Sequence, residues 1–190
     1  GEAALHDLAL SPHTARHIST KLARHFVADD PPDAVVNRLT AAFEKSRGDL
    51  PSVYRALLES PEAWAAPTAK FKTPAEYVYS TYRALDLPVG EGRRELQTFE
   101  LLGQRNFQPG SPAGWPDRSA DWDGSAALLK RIEWAQALGQ KLGAEHNALQ
   151  VADTSLGASL HLDTRRAMER AQDGPQALTL LLSSPDFMRR

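Results

Sequence analysis

The chain has 190 residues, 42% of them hydrophobic and 24% charged, with 22 basic against 24 acidic side chains and a net charge of -2. Those values exclude a disordered or fibrous chain and the broad basic excess of a nucleic-acid binder, and they suit one compact domain, or two tightly joined halves, with a sizeable core. No cysteine occurs, which excludes disulfides, thiolate nucleophiles and cysteine zinc sites. No apolar run approaches the roughly 20 residues that span a bilayer, so the chain reads as soluble.

Gly1 opens directly into a helical pattern, and the first corner follows at Leu8 to Thr14, LALSPHT. The same pattern recurs as LLESPEA from Leu57 and LLSSPDF from Leu181. In each copy a Leu-rich helix stops before Ser, whose hydroxyl can cap the next helix while Pro takes its first position. From Pro12 to Val27, Ala15, Ile18, Leu22 and Phe26 share one face while His13, His17, Lys21 and Arg24 form a basic outer stripe. Asp30 is expected to cap the next helix, with Pro31 in its first turn and Val35, Val36, Leu39, Ala42 and Phe43 inward to about Ser46. Gly48 ends it, and Leu50 to Ser60 predicts another helix with Val53, Tyr54, Leu57 and Leu58 inward.

Beyond Trp64 the chain crosses APTAKFK and reaches Thr73-Pro74-Ala75-Glu76, a capping box with Pro at the first helical position. That helix should run to about Leu85, and another should occupy Arg93 to Leu102. Gly103 to Gly124 has no helical period, and loops of that length inside a compact domain are uncommon and often functional. Helix returns from Ser125 to Leu142 with Leu128, Ile132, Ala135, Leu138 and Leu142 inward and Lys130, Arg131, Glu133 and Gln136 outward. Gly143 to Leu162 fits no single pattern. Asp163 is expected to cap a helix through Ala167, Met168 and Ala171, and Gly174-Pro175 starts the last long helix. No alternating β-branched run occurs, so the expected fold is all-α, an irregular bundle of about eight to ten helices with one long aromatic-rich loop.

The inventory for catalysis is poor. There is no nucleophile elbow, Walker loop or dinucleotide-binding glycine pattern, and no cofactor is expected. His13 and His17 stand one helical turn apart, but the intervening Glu of a metalloprotease helix is missing and Arg16, Lys21 and Arg24 would repel a cation. Asp121-x-Asp123-Gly124 resembles part of a calcium loop, yet that register puts Ser119 first and Lys130 at the closing position, which cannot bind calcium. Asp123 reads more simply as a helix cap. An irregular cation site using Asp117, Asp121 and Asp123 is the alternative, and no metal site is assigned. The candidate ligand-binding residues are Gln104, Phe107, Trp115, Asp121 and Trp122. Flat rings beside amides and carboxylates suit a sugar or peptide, because the ring covers an apolar face while the polar groups set orientation. The competing reading is that these rings pin the loop to the helices beneath. Glu62 and Asp186, at matching places in two corners, are explained by the helix dipole.

Several stretches together resemble the C-terminal part of a large bacterial family catalogued as a domain of unknown function, DUF1800. They are SPHTARHISTKLARHFVADDPP from Ser11, GDLPSVYRALLESPEAW from Gly48, KFKTPAEYV from Lys70, LGQRNFQPGSPAGWP from Leu102 and the closing LLSSPDFMRR. Lys70, Lys72, Gln104, Gly114, Trp115 and Pro116 are motif positions. Between Gln108 and Gly114 this chain reads PGSPA, where many relatives have consecutive prolines and a basic residue. The resemblance implies an α-helical C-terminal portion of a longer protein, exported to the periplasm or beyond, with a secreted sulfatase- or phosphatase-like protein encoded nearby as a partner. It brings no reaction and no catalytic residues.

The expected role is therefore a partner- or ligand-binding module of an exported bacterial protein. The alternative is part of a hydrolase acting on polysaccharide or another envelope polymer, its active site completed by an N-terminal half. A cytoplasmic regulatory module fits the composition but not the family context.

Overall fold

A computed structural model describes residues 1–65, 70–88 and 92–190, so positions 66–69 of the crossing before the capping box lie outside the described residues. Among the described residues there are eleven α-helices and no strand, in keeping with the all-α expectation. The chain divides into two compact units, Gly1–Lys70 and Phe71–Arg190.

The first unit holds α1 (Glu2–Ala9), α2 (Pro12–Phe26), α3 (Asp33–Lys45) and α4 (Leu50–Leu58). Ser11 begins α2 as expected, its Oγ accepting from the His13 N–H at 3.3 Å. Asp30 does not cap α3, which starts at Asp33 without a side-chain cap. The reason is Pro31-Pro32, since a residue before proline is pushed out of the helical region, which delays the start until Pro32 is passed. Only one face of the short α4 is covered, through Val53 and Leu57, so Tyr54 and Leu58 are exposed rather than inward. At the second corner Ser60 is buried and does not cap. Its hydroxyl donates to Ala56 O at 2.7 Å and accepts from Arg38 at 2.8 Å, and Pro61–Trp64 forms a 3-10 turn. Arg38 also reaches Glu62 at 2.9 Å. Ala15, Ala23, Val35, Val36, Leu39, Phe43, Val53 and Leu57 form this unit's core.

The second unit holds α5 (Pro74–Ala84), α6 (Arg93–Leu101), α7 (Ser125–Leu142), α8 (Ala148–Ser155), α9 (Leu162–Glu169), α10 (Gly174–Leu182) and α11 (Pro185–Met188). The capping box closes in both directions, Glu76 N–H to Thr73 Oγ1 at 3.3 Å and Thr73 N–H to Glu76 Oε2 at 2.8 Å. α8, capped by Asn147, resolves the stretch that fitted no pattern. Asp163 falls inside the first turn of α9 rather than at its cap, and the His161 N–H there donates to Asp186 Oδ2 of α11 at 2.9 Å. Gly124, not Asp123, stands at the start of α7. The third corner behaves as expected, with Ser184 Oγ accepting from Phe187 N–H at 3.1 Å.

α10 packs along α7, and two glycines permit the approach. A Cβ at Gly139 would fall 2.2 Å from Thr179 Oγ1 and 2.6 Å from Pro175 O, and one at Gly143 would fall 2.5 Å from Pro175 Cα. The inward stripe of α7 runs through Leu128, Arg131, Ala135 and Gly139, so Arg131 is buried and Ile132 faces out, the reverse of the expected order. The Arg131 guanidinium lies 4.4 Å from the Phe71 ring centroid and 5.1 Å from that of Tyr77, and its Nη2 donates to Lys72 O at 2.7 Å. Lys72 is buried beside it, its Nζ donating to Phe187 O at 2.7 Å and lying 4.5 Å from that ring's centroid. Tyr77 donates its hydroxyl to Leu182 O at 2.9 Å.

Gly139→Ala should lower stability by about 1–3 kcal/mol in urea unfolding, although Ala is the better helix former by roughly 1 kcal/mol in a free helix. Burial pulls the Lys72 pKa down from 10.5 to about 8, with Arg190 and Arg131 adding to the fall and Glu76 opposing it. Above pH 8 the unfolded chain then binds more protons than the folded one, so stability should rise from about pH 8 towards pH 10. Above the tyrosine's ordinary value of 10.0, Tyr77, whose phenol is pushed up by burial, acts in the opposite direction. Urea midpoints across this window should climb in the natural chain and lose much of that climb in Lys72→Met. An unchanged climb in the variant would clear Lys72 of the effect.

Candidate functional site

The loop after α6 is shaped by turns that side chains rarely enter. Gly103 and Gly114 take φ of 95° and 91°, as glycine allows, but Phe107 also sits at φ 55°. A non-glycine residue there stores strain of about 1 kcal/mol or more. Phe107 is at the same time 93% exposed, so its ring is held in water by a backbone that resists the conformation. Neither cost is repaid by packing.

Phe107 stands on the rim of a cleft of about 520 Å³ that also takes in Trp115, Tyr79, Gln104, Asn106 and Glu95. α5 and α6 supply its floor, where Tyr79 and Phe99 meet edge to face with centroids 5.4 Å apart. Gln104 is fixed by the start of α5, its Oε1 accepting the Ala75 N–H at 2.9 Å. Its carbonyl oxygen is thereby spent on the backbone, and what it offers a ligand is the amide NH₂. Glu95 is a buried carboxylate in the wall, 4% exposed. Rings, an amide donor and one acid around an open cleft suit a flat, hydroxylated or amide-bearing ligand better than a compact ion.

Of the five candidate residues, Gln104, Phe107 and Trp115 share this cleft, while Asp121 and Trp122 are not among the described residues lining it. Trp122 is 6% exposed, donates Nε1–H to Pro116 O at 3.1 Å and packs against Trp115 with centroids 5.9 Å apart. It backs the wall that Trp115 presents. Asp121 is exposed at the end of the 3-10 turn Ser119–Asp121. That turn is tied to the start of the unit by Phe71 N–H, which donates to Ser119 Oγ at 3.0 Å. Among the described residues no group of three or more His, Asp or Glu side chains is placed to hold a metal ion, Asp117, Asp121 and Asp123 included. His13 and His17 lie exposed on α2.

Two arrangements escaped the reading of the sequence. His161 Nδ1 lies 2.6 Å from Asp186 Oδ1, joining residues 25 apart. Burial raises the Asp186 pKa, but the hydrogen bonds from the His161 backbone, Thr164 and the His161 ring, with the ring's charge, more than offset it and hold the carboxyl below its ordinary value. This carboxylate serves the start of α9, a role no local spacing reveals. The second is the buried pair of cations, Lys72 and Arg131, of which Lys72 lies in the KFKTPAEYV motif while Arg131 reads in the sequence as an outward charge.

The family model for a protein of unknown function (DUF1800) matches residues 1–189. No curated protein and no solved structure matches the chain.

Trp122→Ala should cost about 3–5 kcal/mol of stability, as loss of a buried aromatic does. Phe107→Gly should instead leave stability unchanged or raise it by about 1 kcal/mol, since it releases the left-handed backbone and sacrifices no buried ring. Denaturant unfolding of both variants separates the wall from the rim.

Proposed function

The chain belongs to the DUF1800 family, and from that premise we propose that it is a ligand-binding module of an exported bacterial protein, with the cleft edged by Phe107 and Trp115 as its binding site. The observation that carries this reading is Phe107, an exposed ring on a strained backbone at the mouth of a cleft. Strain that contributes nothing to folding points to use. The ligand is a segment of an envelope polymer, a saccharide or a short peptide, whose flat face covers Trp115 or Phe107 while Gln104 and Asn106 hydrogen-bond its polar edge. In the cell the module works beside a secreted sulfatase- or phosphatase-like protein, as the family resemblance implies.

Glu95 favours a second reading, a hydrolase acting on such a polymer. Glu95 places one carboxyl group in the cleft wall, yet glycoside hydrolysis employs two on either side of the bond. Glu95 is the single acidic residue among the described lining residues, and on this reading an N-terminal half of a longer protein completes the site.

Calorimetric titration with peptidoglycan fragments, neutral oligosaccharides and short peptides tests the binding reading. At least one class should bind saturably, and Phe107→Ala and Trp115→Ala should each weaken it about tenfold or more, in variants that melt as the natural chain does, an energy on the scale of one aromatic contact. Binding that survives both substitutions would remove the cleft as the site.

A further inference from the structure

A second cleft in the same unit, of about 410 Å³, has a different chemistry. The segment before α5, the C-terminal half of α5, the end of α8 and α11 bring Lys72, Ser80, Arg83, Thr154, Ser155 and Phe187 to its walls. Two cations and three hydroxyls line it, with no carboxylate among the described lining residues.

Positive charge is in excess around Lys72. Arg131 and Arg190 both act on it unfavourably, and Glu76 is the carboxylate that opposes them. Glu76 is itself engaged twice, by Arg190 at 2.9 Å and by the Thr73 N–H at 2.8 Å. Among the described residues the buried Nη1 of Arg131 has no hydrogen-bond partner, which marks the cluster as short of acceptors.

Helix C-termini also attract cations, but those at this cleft are largely closed by their own turns. The carbonyls of Gln150 and Val151 accept the Thr154 and Ser155 hydroxyls at 3.0 and 2.6 Å, and Ala152 O accepts Leu156 N–H at 2.9 Å. At the end of α5, Tyr82 O and Arg83 O accept the N–H groups of Leu87 and Asp86. Those two hydroxyls spend their protons on the backbone and therefore present lone pairs, which suits a ligand hydroxyl beside an anionic group. The cleft also exceeds the volume of one oxyanion, leaving room for the small body that carries it.

We propose that this cleft binds a small hydroxylated molecule bearing an oxyanion, a phosphate, sulfate or carboxylate, which Lys72 and Arg83 hold by charge-assisted hydrogen bonds. Arg83 is exposed and can be truncated without opening the core, whereas Lys72 also secures Phe187. The two clefts share α5 but no lining residue, so ligand binding at either can fail without the other.

The test is thermal unfolding with inorganic phosphate, inorganic sulfate, glucose 6-phosphate and glucuronate, against glucose and against sodium chloride at matched ionic strength, in the natural chain, Arg83→Ala and Lys72→Met. At about ten times the Kd a specific anion should raise the melting temperature by roughly 3–6 °C and then saturate. Arg83→Ala should demand at least tenfold more anion for the same rise. A tighter response to glucose 6-phosphate or glucuronate supports an organic ligand, and equal or tighter response to phosphate or sulfate supports the inorganic ion as the source of the same chemistry. A rise that never saturates and is shared by Arg83→Ala is general salt exclusion and overturns the proposal, as does a response no larger than that to sodium chloride.

Discussion

Arg131 is 1% exposed, and its guanidinium is stacked between Phe71 and Tyr77 while it donates to the carbonyl of Lys72. Burying a cation costs several kcal/mol, and here ring faces and a carbonyl replace much of the lost hydration while Glu76 and Asp123 attract the charge. Burial pulls its pKa down to about 10, which is what incomplete compensation looks like. The segment it grips, Phe71 to Tyr77, starts α5, bonds to Ser119 of the long loop and pairs with the chain's last helical turn through Lys72 N–H, which donates to Met188 O at 2.9 Å. One side chain of α7 thus fixes three distant pieces of the second unit.

Both clefts follow from that arrangement. α5 presents Ala75 and Tyr79 to the aromatic cleft and Ser80 and Arg83 to the basic one, so a single helix, set by one capping box, positions two sites of opposite character. Gln104 extends the same logic, since the amide that caps the start of α5 is the one that reaches the aromatic cleft. A shift of α5 would alter both clefts together, which makes the Arg131 contact a shared foundation for whatever they bind.

Most helices were legible because they depend on local chemistry, the exception being α8, which lies in the stretch from Gly143 to Leu162 that fits no single pattern. Ser11, Asp49, Thr73, Asn147, Asp173 and Ser184 each cap within three residues of themselves, and the capping box at Thr73 closes in both directions as its spacing requires. Asp30 failed as a cap for a local reason, the two prolines after it, whereas at two other places a distant group intervened. Ser60 was taken from capping by Arg38, and the start of α9 was served by Asp186 instead of Asp163. Arg131 looked like a solvent-facing charge because periodicity cannot see two aromatic rings arriving from 54 and 60 positions earlier. In the loop, composition marked the right segment but could not sort its rings, and backbone geometry distinguished the strained, exposed Phe107 from the buried Trp122.

Neighbouring residues alone carry the all-α class, most helix boundaries, the first and third Ser-Pro corners and the family to which the chain belongs, because periodicity, capping and motif order are local. Tertiary structure alone decided which face of α7 is buried, which carboxylates become partners and which residues share a cleft. Those outcomes depend on contacts between residues far apart in the chain, where desolvation and ring stacking override the polarity that a side chain shows in isolation.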